Sequence, residues 1–146
     1  MSAPAAETAY PQLCLNRQLC FPLYAAARKI VNLYTPLLKP LGLTYTQYIV
    51  LLVLWEEDGV SVGQLSARLK LDSGTLTPLL KKLESAGLLT RERSHEDERV
   101  VTLHLTDAGY ELQHEAAGIP EKMAACVNLS ESEAATLYGL LYKLLD

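Results

Sequence analysis

Three cysteines, Cys14, Cys20 and Cys126, are the residues of this chain best suited to covalent chemistry, and their surroundings decide which chemistry. They form no CxxC pair, and His95, His104 and His114 supply no HExxH motif, so a metal site is disfavoured. In a reducing compartment the ordinary role of a cysteine is that of a small buried hydrophobe. Cys20 differs, because it directly precedes Phe21 and Pro22 at the start of a helical pattern. Unpaired amides and the helix dipole favour an anionic sulfur there. Such a sulfur attacks a peroxide and becomes a sulfenic acid, which a second thiol traps as a disulfide. Without that thiol it climbs to sulfinic acid. Cys126 and Cys14, the latter six residues from Cys20, are both available as the trap.

A second group suits nucleic acid. Ser73, Thr75 and Thr77 carry short hydrogen-bonding groups for base edges or phosphates, and Lys81 and Lys82 suit phosphates. The ordinary alternative is a solvated helix face. Further on, Arg99 closes the charged run from Ser94, where an arginine at a hairpin tip fits a narrow minor groove. Asp97, two residues earlier, can pair with it and fix its direction.

These groups need elements to hold them. Val62 to Leu69 predicts a short helix, Asp72 to Gly87 a second one, and Leu88–Arg93 with Val100–Leu105 two alternating strands around the charged tip. Helix, turn, helix and hairpin in that order make a winged helix-turn-helix, with one helix for the major groove and the hairpin for the minor groove. In the second helix Leu76, Leu79, Leu80, Leu83 and Ala86 are expected to face inward. Thr44-Tyr-Thr-Gln47, Ser61-Val-Gly-Gln64 and Ser130-Glu-Ser-Glu133 have capping-box spacing and mark three helix starts. Leu19 to Leu38 predicts an earlier helix kinked at Pro36, and Thr106 opens a later one disturbed at Gly118-Ile-Pro120.

The fold class is therefore mainly α with a small β-hairpin wing. Residues 1–12 read as a loose tail, 13–60 as helices for dimerisation and redox sensing, 61–106 as the DNA-reading unit and 107–146 as further dimerisation helices. Ile49–Trp55 is apolar all round and should be enclosed by other elements. Leu137, Leu141, Leu144 and Leu145, with Ala134, form a stripe suited to a partner subunit, and an obligate-type twofold homodimer would place two readers on a palindrome.

With 146 residues, 49% of them hydrophobic, the chain can bury one core, and it shows neither a membrane span nor a signal peptide. A cytoplasmic location is expected. The net charge of −4 argues against a nucleic-acid binder until its distribution is considered. Residues 68–99 carry seven bases and six acids, which leaves +1 there and −5 elsewhere. That gradient can orient the molecule on DNA.

The winged helix and its flanking helices resemble the multiple antibiotic resistance regulator (MarR) family. Leu19-Cys-Phe-Pro-Leu-Tyr24, Thr44-Tyr-Thr-Gln-Tyr48, Leu71-Asp-Ser-Gly-Thr-Leu-Thr-Pro78 and Glu96-Asp-Glu-Arg99 are similar to its organic hydroperoxide resistance regulators. The resemblance covers nearly everything after the tail. It implies a homodimeric repressor of a peroxide-detoxifying gene, bound to double-stranded operator DNA, with no cofactor and no enzymatic turnover. It further implies Cys20 as the residue that organic hydroperoxides oxidise, with Tyr34 and Tyr45 hydrogen-bonded to its sulfur. Cys126 of the other subunit then closes the disulfide, as in the two-cysteine type, and a thiol reductant reopens it.

An alternative keeps the fold but gates it with a small phenolic or aromatic ligand held by Tyr24, Tyr34, Tyr45 and Tyr48. A thiol peroxidase is disfavoured, because it leaves the reader unexplained and Cys20 has no arginine or threonine motif arranged for turnover.

Overall fold

The computed structural model describes residues 9–146. Of the expected tail, residues 1–8 lie outside the described residues, while Pro11–Leu13 and Leu15–Arg17 form two 3-10 turns that lead into helix α1 (Cys20–Leu38). Pro36 is accommodated within α1, and a 3-10 turn at Lys39–Leu41 ends on Gly42 with a φ of 70°. The chain then enters α2 (Tyr45–Glu56), α3 (Val62–Leu69) and α4 (Ser73–Ser85). Strands β1 (Leu89–Arg93) and β2 (Val101–Leu105) form the hairpin, followed by α5 (Asp107–Ala116), α6 (Ile119–Cys126) and α7 (Glu131–Leu145).

Local hydrogen bonds explain the helix starts. Thr44, Ser61, Asp72, Thr106 and Ser130 each accept the amide three residues on, and Gln47, Gln64 and Glu133 close the three capping boxes. The break between α5 and α6 falls at Ala117 and Gly118. Proline at the second position of α6 sits where its missing amide proton costs nothing.

The core gathers around α2. Tyr48, Val50, Leu51, Val53 and Leu54 are buried, and Leu38, Leu65, Leu76, Leu80, Leu83, Leu89 and Leu103 close around them. Leu52 departs from the expected enclosure and stays 40% exposed. Ala86 corrects another expectation: it is exposed, because the helix has already ended there and Gly87, with φ 76°, turns the chain toward β1.

Antiparallel pairing runs from Leu89 opposite Leu105 to Arg93 opposite Val101. The segment before α3 extends this hairpin: Gly59 donates to the Leu103 carbonyl, Leu103 donates to the Val60 carbonyl, and Ser61 bridges to Thr102. The wing is thereby fixed to the first helix of the reader. Behind it, the Trp55 indole donates to the Gly109 carbonyl at 2.9 Å. A Cβ at Gly109 would lie 2.1 Å from the Leu88 carbonyl oxygen, so glycine is what lets α5 meet the start of the hairpin.

Two helices carry uncovered apolar surface. On α1, Phe21, Leu23, Tyr24 and Val31 are exposed, and α7 buries no residue although Leu137, Leu140, Tyr142, Leu144 and Leu145 lie along it. Among the described residues no single helix is long and apolar enough to cross a membrane.

Candidate functional site

The reader is built on α4. Asp72 caps it, and the Thr75 amide, with the Thr75 hydroxyl, holds the Asp72 carboxyl below the ordinary carboxylate range. Ser73, Thr75, Thr77, Lys81 and Lys82 are all exposed, on the side opposite the buried Leu76, Leu80 and Leu83. The Thr77 hydroxyl donates to the Ser73 carbonyl at 2.8 Å. Pro78, two positions short of Leu80, has no amide proton to give the Gly74 carbonyl.

Between α3, α4 and the wing lies an open groove of about 440 Å³, lined among others by Ser61, Ser73, Thr77, Arg91 and Arg99. The structure thus brings Ser73, Thr77 and Arg99 to one concavity, while Thr75, Lys81 and Lys82 lie beyond its lining. At the tip, Arg99 Nε and Nη2 donate to the two carboxylate oxygens of Asp97, and the Arg99 amide donates to Oδ1 at 3.1 Å. These bonds keep the Asp97 carboxyl below its ordinary range. The Ser94 amide donates to the Val100 carbonyl and the Val100 amide to the Asp97 carbonyl, closing the turn that carries the pair.

Sequence reasoning missed Arg91 and Glu84. Glu84, near the end of α4, accepts both the Arg91 amide and Arg91 Nη2 at 3.1 Å, and the side-chain bond to Arg91 lowers its carboxyl pKa. The two are seven positions apart across the turn at Gly87, so only charge sign hinted at the pair.

Cys20 is the first residue of α1 and is exposed; Cys126 is the last residue of α6 and is also exposed. Cys14, half-buried, lies between the two 3-10 turns, and all three thiols are free. Tyr34 and Tyr45 meet with ring centroids 4.8 Å apart, and Tyr48 joins them at 5.6 and 6.4 Å. Burial raises all three phenol pKa values, aided at Tyr34 by Tyr45, so these phenols remain protonated hydrogen-bond donors at neutral pH. The structure therefore unites Tyr34 with Tyr45 but separates both from Cys20 of the same chain. Tyr34 stands fourteen positions along the same helix, a rise of about 21 Å.

Comparison with known proteins fits this arrangement. Residues 32–116 match the family model of the transcriptional regulator SarA/Rot. The chain belongs to the SarA/Rot and MarR type of winged-helix transcription regulators, which bind DNA. Over 140 residues it is 44% identical to the organic hydroperoxide resistance transcriptional regulator of Bacillus subtilis (strain 168), covering 96% of this chain and 95% of that one.

Among solved structures it is similar to AbfR of Staphylococcus epidermidis. Reduced AbfR bound to DNA is 37% identical over 92% of this chain and 93% of the other, with a TM-score of 0.76. Overoxidized AbfR bound to DNA gives the same score. Disulfide-formed AbfR, at 38% identity and covering 92% and 95%, gives 0.65.

Proposed function

We propose that this chain is a homodimeric repressor that senses organic hydroperoxides through Cys20 and releases its operator when a disulfide forms with Cys126 of the partner subunit. The observation that carries the reading is the placement of an exposed cysteine at the first residue of α1 with a tyrosine pair far along the same helix. Within one chain that pair cannot reach the sulfur. Two α1 helices running side by side in opposite directions would bring Cys20 of one to Tyr34 and Tyr45 of the partner subunit, so the sensing pocket would exist only in the dimer. The uncovered apolar faces of α1 and α7 suit such pairing, and regulators of this family are dimers.

The chemistry then balances simply. The Cys20 thiolate attacks one peroxide oxygen, an S–O bond forms, the O–O bond breaks, and the leaving alkoxide takes up a proton as an alcohol. The Cys126 thiol next attacks the sulfenic sulfur, forming S–S and releasing water. An external thiol reverses the disulfide by exchange. Protonated phenols at Tyr34 and Tyr45 can donate to the sulfur anion.

Release follows from geometry. Two recognition helices bind one palindrome only at a fixed spacing, and Cys126 ends the helix that packs against α1, so a bond there would move elements that set the spacing. This conformation, with its thiols free, is more similar to DNA-bound AbfR than to disulfide-formed AbfR, in keeping with a DNA-competent state before the disulfide forms. Tyr34, Tyr45 and Tyr48 pack on one another, which favours sulfur chemistry over a phenolic ligand held among them.

The test uses an operator duplex selected from random sequences by the reduced protein. Cumene hydroperoxide is expected to release the wild type and leave Cys20→Ser bound, with a Cys20–Cys126 crosslinked dimer on a non-reducing gel. Cys126→Ser should instead show sulfinic Cys20 by mass spectrometry and stay on DNA, as overoxidized AbfR does. Equal binding before and after peroxide, or a Cys14–Cys20 crosslink, would overturn the assignment.

A further inference from the structure

The DNA-binding half of this reading gives Arg91 no task. Arg91, the middle residue of β1, lines the groove between α3, α4 and the hairpin and keeps 30% of its side chain exposed. Glu84 grips it twice, once through the backbone amide and once through Nη2. Such a double grip fixes both where the strand leaves the turn and where the guanidinium lies. Of five side-chain N–H donors, that pairing uses one.

Among the remaining donors, Nε is buried and has no hydrogen-bond partner. Buried donors are nearly always paired, so an unsatisfied Nε leaves this guanidinium with donor capacity that Glu84 does not use. The groove offers polar surroundings: Ser61, Ser73, Thr77 and Arg99 share its lining, with the Thr77 hydroxyl proton held by the Ser73 carbonyl. Hydroxyls and an arginine fork around a concavity are the usual holders of a phosphate oxygen pair.

We propose that Arg91 is a DNA-phosphate ligand, aimed by Glu84 across the junction of α4 and β1. The phosphate enters the groove between recognition helix and wing and meets the Nη1 donors, while the bond from Nη2 to Glu84 keeps the guanidinium in place. Glu84 acts as a positioning residue. It holds the arginine pointed along the groove in the free protein, so little side-chain freedom is lost on binding. Because the contact is to the backbone, it carries affinity and register rather than base preference.

Reduced protein and a duplex of arbitrary sequence, about three helical turns long, provide the test. The informative variant is the double substitution Glu84→Gln with Arg91→Gln, which leaves the net charge unchanged and preserves hydrogen bonding across the junction. A phosphate contact predicts a several-fold weaker affinity and a salt slope lower by about one, with an unchanged melting temperature. Affinity and slope equal to wild type would overturn the proposal and reduce Arg91 to a tie between helix and wing. Should the double variant melt below the assay temperature, Arg91→Lys replaces it. That change keeps the charge, so the slope should hold while affinity falls, and an undiminished affinity would count against the contact. A wild type indifferent to the duplex would sink the DNA-binding reading itself, whereas a failed peroxide response would leave this inference standing.

Discussion

Arg99 Nε and Nη2 lie 3.1 and 3.2 Å from the two oxygens of Asp97, so the wing's own carboxylate orients an arginine whose side chain is 90% exposed. An exposed pair of this kind contributes little to stability. Its value is direction: the fork is held at the tip of the hairpin, and Nη1 remains free for a phosphate or the floor of a minor groove.

Arg99→Ala should therefore weaken binding about equally across sequences and lower the salt slope by about one. Titration of operator and unrelated duplexes at several salt concentrations checks this. An unchanged slope would remove Arg99 from the contact surface.

Gly109→Ala addresses the junction behind the reader. A Cβ 2.1 Å from the Leu88 carbonyl oxygen requires α5 or the turn before β1 to shift, which also disturbs the Trp55 bond to the Gly109 carbonyl. Overpacking of this kind costs about 1–3 kcal/mol. Chemical unfolding at matched protein concentration should show that loss, since dimer stability depends on concentration. Wild-type stability in the variant would mean that the contact yields freely.

Acid should destabilise the protein through its caps and wing pairs. The carboxyls of Asp72, Glu84, Asp97 and Glu133 are all lowered in the fold, by the Thr75 amide, Arg91, Arg99 and the Ser130 amide respectively. A folded pKa below the unfolded one contributes stability above the unfolded value, 3.8 for aspartate and 4.5 for glutamate, and loses it as pH falls through the folded value. Asp72→Asn still caps α4 but cannot titrate. Its melting temperature should approach or exceed that of wild type as pH drops below about 4, closing any gap seen at neutral pH. A gap that stays constant with pH would show that the Asp72 charge is irrelevant.

Much of the fold was legible because its signals are local. A cap such as Ser61 and its Gln64 partner are three residues apart, so the hydrogen bonds that start α3 are written within one turn of sequence. The same holds for Thr44 and Ser130, and for the Asp97 and Arg99 pair, which needs only a hairpin turn to meet. Cys20 at the start of α1 was also readable, since its neighbours alone announce a helix beginning.

What the tertiary structure decided depends on contacts between distant stretches. Ala86 fitted the apolar period of α4, yet the turn at Gly87 ends the helix before that residue can be buried. Glu84 meets Arg91 only after the same turn folds β1 back along α4, and Val60 reaches Leu103 only once the hairpin exists. Sequence put Cys20 and Tyr34 on one helix, but that Tyr34 packs on Tyr45 and Tyr48 of α2 was decided only when the two helices met. Residue types and near neighbours set the elements and the reactive groups; which groups meet was settled by how rigid elements pack, because a hydrogen bond or a sulfur contact is decided over a few ångströms that no local pattern encodes.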